Sequence, residues 1–242
     1  RGLDVQGTGA RLTGDALTIA TAGANAQGVY NAGGAILLSR TTVATTDDYG
    51  FGVHAASGGS TAFNGGAITT AGAGATGVLA TDAGTSVNVA GASGAAATIK
   101  TSGSLAPGVL AQNGAAVSLI GVQASTTGAG AWGLAVVDQG SSLTATDVTV
   151  STQGGVEPQS GRSADAIHNS ATDVNGRGGT LTLTNVKASA TGEEAVGLFT
   201  GIAGVTNASG GAVTTTGSKA TAVLASSGAS MTLTGTQISA AG

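Results

Sequence analysis

The chain has 242 residues and a formal net charge of −4, with 44 Gly, no Cys, and six aromatic residues. Only 8% of its residues are charged, against roughly a quarter in an ordinary globular domain, which disfavours a salt-bridged helical protein and a charge-rich disordered tail alike. The eight Lys and Arg form no cluster, so nucleic acid is not an expected partner, and no run of eighteen apolar residues offers a transmembrane helix.

Gly does not recur at every third position, which excludes collagen, and Val, Ile and Leu return at regular intervals between the glycines. Taken in chain order, a small residue followed by an aliphatic one marks nine repeats: Gly2-Leu3, Gly28-Val29, Gly52-Val53, Gly77-Val78, Gly108-Val109, Gly133-Leu134, Ala166-Ile167, Gly197-Leu198 and Ala222-Val223. Successive anchors lie 26, 24, 25, 31, 25, 33, 31 and 25 residues apart. A second column closes each repeat with Gly23, Asp47, Gly72, Gly103, Gly128, Gly154, Gly192, Gly217 or Gly242. The next anchor follows five residues later except after Gly154, where it follows after twelve. The extra residues of the longer repeats fall near 91–96, 155–164 and 170–179, all turn-like in composition.

Within a repeat the side chains alternate with period two, the strand signal. Four residues before each closing position stands Ile19, Val43, Ile68, Ile99, Ala124, Val150, Ala188, Val213 or Ile238, and two before it Thr stands in seven of nine copies. Three short strands per repeat close one coil, and identical coils stack in parallel about 4.8 Å apart. The expected fold is an all-β, right-handed parallel β-helix of about nine coils of ~25 residues, a single domain over 1–242. Arg1 opens in mid-pattern and neither end reads as a polar or helical cap, so the chain is expected to be a stem fragment of a longer protein.

The grammar of GVLATDAGTSVNVAG (77–91) and GVLAQNGAAVSLIGVQASTTG (108–128) resembles the passenger domains of Gram-negative autotransporters of type V secretion, particularly the pertactin-like ones. That resemblance implies export through the periplasm, display at the cell surface by a C-terminal outer-membrane β-barrel outside this fragment, or release to the medium. It also implies a role in adhesion or virulence. The absence of Cys agrees with passage in an unfolded state. There is no RGD tripeptide, no GGxGxD calcium repeat and no GxSxG nucleophile motif.

GAGATG (72–77) and GAGAWG (128–133) match a dinucleotide fingerprint, but strands follow them where the mechanism needs a helix, so they read as corner glycines and no cofactor is expected. His54 and His168 belong to repeats four coils apart, ~19 Å, too far to share a metal ion. Asp82 and Asp138 share a column two coils apart with no third acid converging on them, which disfavours a polysaccharide-degrading enzyme. The more informative feature is the residue after each aliphatic anchor, expected to face outward: Asp4, Tyr30, His54, Leu79, Leu110, Ala135, His168, Phe199 and Leu224.

The expected contact surface comprises Tyr30, His54, Leu79, Leu110, His168, Phe199 and Leu224 together with Glu157, Arg162 and Asp165 of the 155–165 insertion, which is expected to project from a corner. The expected function is non-catalytic binding of a host surface or serum protein. Self-association of rods through their Ser and Thr columns is the alternative.

Overall fold

A computed structural model describes residues 1–92, 94–172 and 176–242. These residues are all-β, with parallel strands stacked as a β-solenoid of about nine turns. The fifth coil shows the plan: Val109–Gln112 on a first face, Ala116–Ile120 on a second and Val122–Thr126 on a third. Each pairs in parallel with its equivalents in the coils before and after. The first faces make a nine-stranded sheet running from Leu3–Gln6 to Thr221–Ala225. The other two faces merge into one sixteen-stranded sheet, because Ala35–Thr45 and Ser60–Thr70 run unbroken around the corner between them.

Period-two alternation decides what each face buries. The aliphatic anchors Val29, Val53, Val78, Val109, Leu134, Ile167 and Leu198 are fully buried. From the third face Val43, Ile68, Ile99 and Val150 join them, each with no exposed surface. On the second face large and small residues alternate along one ladder, Leu119 against Ala145 against Leu183 against Ala208, an alternation that suits a narrow prism. Phe63 is the one aromatic side chain inside, between Leu38 and Val89 in register.

The corner leading back to the first face explains both repeat columns. Thr hydroxyls there are buried and donate to a carbonyl five residues on, Thr101 to Ala106 at 2.7 Å and Thr126 to Ala131 at 3.1 Å, so the turn's carbonyls are not left unpaired. The closing glycines stack backbone on backbone: a Cβ on Gly103 would overlap the carbonyl of Gly72, and one on Gly128 the carbonyl of Gly103. Two residues later Asn25, Tyr49, Gly74, Leu105, Gly130, Glu194 and Lys219 all turn the chain in the left-handed region, with φ between 52° and 64°. Tyr49 and Leu105 lean over the glycines one coil ahead, so that a Cβ on Gly74 would come within 2.6 Å of the Tyr49 ring.

The described extra residues, Ser170 apart, sit outside the paired strands. Residues 91–96 form a tab closed by reciprocal Ala92 and Ala95 backbone bonds of 2.9 Å, with Ser93 outside the described residues. Of the 170–179 stretch, 173–175 lie outside the described residues, while Thr172 is held by its N–H and hydroxyl to the Asp138 carboxylate at 2.9 and 2.8 Å.

Gly103→Ala is expected to lower stability by ~3 kcal/mol, because the new methyl meets backbone that cannot rotate away. Ser104→Ala, one residue on and exposed, is expected to change it by less than ~0.5 kcal/mol. Chemical denaturation of the two variants side by side measures the difference.

Candidate binding face

The outward column forms one ladder, Asp4, Tyr30, His54, Leu79, Leu110, Ala135, His168, Phe199 and Leu224 pairing in that order. It runs beside a second column that sequence reasoning missed, the residue before each small anchor: Arg1, Gln27, Phe51, Thr76, Pro107, Trp132, Asp165, Val196 and Thr221. The periodicity held the signal, since these positions share one offset, but only stacking shows that their side chains lean onto the first face. Between them the two columns and the adjoining corner hold five of the chain's six aromatic residues, Tyr30, Tyr49, Phe51, Trp132 and Phe199, and both histidines. Ser, Thr, Ala and Asn dominate the outward positions of the other faces.

Two clusters result. Near the first coils the Arg1 guanidinium lies 3.8 Å over the Tyr30 ring, and His54 meets Tyr30 and Phe51 edge-on at 5.1 and 5.3 Å. The Gln27 amide donates to His54 Nδ1 at 3.1 Å, while Nε2 is buried without a partner. Burial pulls the imidazole pKa from 6.5 down to about 4, the Arg1 charge adding to the effect and Asp82 opposing it.

The second cluster is a stack four groups deep. Arg162 lies 4.1 Å over Trp132, Trp132 is 3.8 Å from His168 and nearly parallel to it, and His168 is 4.8 Å from Phe199. Asp165 fixes the histidine, accepting from its Nδ1 at 2.8 Å. The other Asp165 oxygen accepts from the Ser163 hydroxyl at 2.6 Å and from Val196 N in the next coil at 3.2 Å. Desolvation lowers the Arg162 pKa to about 10 against the pull of Asp165 and Glu157, so the group is a cation at neutral pH. Its Nε donates to the Gly130 carbonyl at 2.5 Å, but Nη2 is buried without an acceptor, and so is Trp132 Nε1.

The 155–165 insertion that carries Arg162 departs from expectation. Rather than projecting as a whole, it folds back over the corner, because Thr152 bridges to Ala164 at 2.9 Å just as other threonines bridge five residues. Only its tip, 158–161, is exposed. Glu157 is turned into its own turn, accepting from Ser160 N and Oγ at 2.7 Å each and from Gln159 N at 3.1 Å, bonds that hold its pKa below the ordinary carboxyl value. Glu157 and Asp165 are therefore buried supports, and Asp165 also forms part of the wall of an open concavity of 260 Å³ lined by Arg162, His168, Phe199 and Leu224. Leu79 and Ala135 are covered too, at 6% and 1% exposure, and Leu224 is 39% exposed. A second concavity of 300 Å³, nearer the first coils, is lined by Tyr49, Phe51, Leu79, Leu105, Pro107 and Leu110, and Arg162 borders both.

Asp82 and Asp138, the acids that share a column two coils apart, are turn caps. Asp82 and Asp138 hold equivalent left-handed corners at φ 77° and 70°, and Asp82 accepts from Ser57 N at 3.0 Å as Asp138 does from Thr172.

Deleting 156–162 restores the five-residue spacing from Thr152 to Ala164. The expected outcome is an intact β spectrum with a red shift in Trp132 emission, since Arg162 no longer covers the sole tryptophan. His54 supplies a pH prediction: an imidazole held to about 4 when folded but titrating near 6.5 when unfolded gives stability that is complete above the unfolded value and lost as pH falls toward the folded one. The melting temperature is expected to fall between about pH 7 and about pH 5, and to fall less in His54→Phe. No known family model, curated protein or solved structure gives a significant match to this chain.

Proposed function

We propose that this chain is a non-catalytic display stem that binds a host protein through its first face, as part of a cell-surface or secreted passenger domain like those of Gram-negative autotransporters. The observation that carries the reading is the segregation of side chains: on a rod whose remaining outward positions are mostly small and polar, five of the six aromatic residues, both histidines and the Arg162 guanidinium gather along one stripe. Aromatic and Arg side chains supply most of the energy of protein interfaces. A stacked solenoid presents them on a rigid backbone, so little conformational entropy is lost when a partner docks. The carboxylates support this division of labour, since Asp82, Asp138, Glu157 and Asp165 are each engaged in bonds within the rod.

The test is capture of host serum and cell-surface proteins on the immobilised chain. Capture of a specific protein is expected, weakened by ~1 kcal/mol or more in Phe199→Ser and in the 156–162 deletion, and unchanged in Asp82→Asn. Sedimentation of the chain alone is expected to give a monomer at all concentrations. Concentration-dependent dimers lost in Phe199→Ser would replace host binding with self-association.

A further inference from the structure

The two concavities of the first face sit on either side of Arg162, which borders both. The nearer one has Leu105 and Leu110 of the fifth coil in its wall, and the farther one Phe199 of the eighth. Three coil steps separate Leu110 from Phe199 along the ladder, ~14 Å at the spacing of parallel strands. An extended polypeptide advances ~3.4 Å per residue and points alternate side chains the same way, so residues i and i+4 span that distance from one side of a strand.

We propose that this groove binds an extended, uncharged segment of a partner polypeptide that places two apolar side chains four residues apart, one in each concavity, with a backbone carbonyl between them accepting from Arg162. The proposal rests on the protein-binding reading of this face and specifies what is recognised. Three observations favour an apolar, neutral segment over other occupants. Among the described residues the Arg162 side chain makes one hydrogen bond, from Nε to the Gly130 carbonyl, and it borders both concavities, so what it presents between them is donor and not acceptor. The charges facing Arg162 are the Asp165 and Glu157 carboxylates, which already balance the guanidinium, so an anionic ligand meets repulsion where a carbonyl does not. Apolar side chains stand at each end, Phe199 and Leu224 beside the already bonded Asp165 and His168 at one, and Tyr49, Phe51 and Leu105 at the other. Tyr49 and Leu105 hold these places with left-handed backbones, φ 54° and 52°, conformations unfavourable for bulky side chains.

The probes are two neutral capped peptides of one composition, acetyl-Leu-Ser-Thr-Ser-Phe-amide and acetyl-Leu-Phe-Ser-Thr-Ser-amide, titrated against the whole chain by Trp132 fluorescence and by calorimetry. The first is expected to bind saturably with a Kd on the order of millimolar, as suits a short flexible ligand, and the second at least tenfold more weakly. Leu105→Ala and Phe199→Ala are each expected to weaken the first peptide about tenfold, and Arg162→Met, which keeps an apolar stem over Trp132, to weaken it without changing the melting temperature by more than a few degrees. Equal binding of the two peptides, or no saturable heat or fluorescence change, overturns the proposal. If host-protein capture is lost in Tyr30→Ala yet survives Leu105→Ala and Phe199→Ala, the face binds a partner but this groove does not. A dimer in sedimentation that Leu105→Ala disrupts assigns the groove to a second copy and likewise overturns it.

Discussion

Every feature of this molecule depends on the parallel backbone ladder that joins each coil to the next. With strands ~4.8 Å apart, a residue's nearest neighbour is its own equivalent 24 to 38 positions away, so side chains are selected by column. A column of Ile and Val makes a core, a column of Thr closes a corner, and a column of Gly lets one backbone lie on another where no Cβ fits. Aromatic residues that are scattered along the chain become a continuous stripe by the same rule.

The ladder also dictates where the chain departs from regularity. An extra residue inside a paired strand would flip its neighbours to the wrong face, and the described residues of the three longer stretches, Ser170 apart, lie outside the paired strands. The 155–165 excursion shows how such an insertion is accommodated. Its ends are fastened by the Thr152 to Ala164 bond and by the Asp165 clasp on Val196, so the seven additional residues leave the register of the following coil untouched. In folding back, the excursion lays Arg162 on Trp132 and divides the aromatic face into two concavities.

Buried polar groups obey the same economy. Asn31 and Asn169 occupy equivalent inward positions, and each amide nitrogen lies within hydrogen-bond distance of a backbone carbonyl of its own coil and of a carbonyl and a Thr hydroxyl of the next, which share its two hydrogens. They add side-chain bonds between the first face and the second to carbonyls such as Gly34 and Gly179, which also accept from backbone N–H groups of the next coil. Charged groups are few and mostly engaged in caps or exposed pairs such as Lys219 with Glu193 and Glu194, leaving the aromatic face as the distinctive chemistry of the surface.

The repeat, its all-β parallel stacking, the inward aliphatic column and the outward ladder from Tyr30 to Leu224 were legible in the amino-acid sequence, because period-two alternation and a fixed offset from each anchor are one-dimensional signals that stacking preserves. The places of the extra residues were legible for the same reason. Which outward residues meet solvent was not, since burial of Leu79 and Ala135 depends on side chains from neighbouring coils and corners. Nor was the part played by Trp132, Glu157 and Asp165: the tryptophan leans across from the corner column, and the two carboxylates turn inward to bonds with Ser160, Ser163, His168 and Val196. Local sequence determines the face on which a side chain begins, and contacts between coils decide whether it is covered, because cover comes from residues that adjoin only after the ladder has formed.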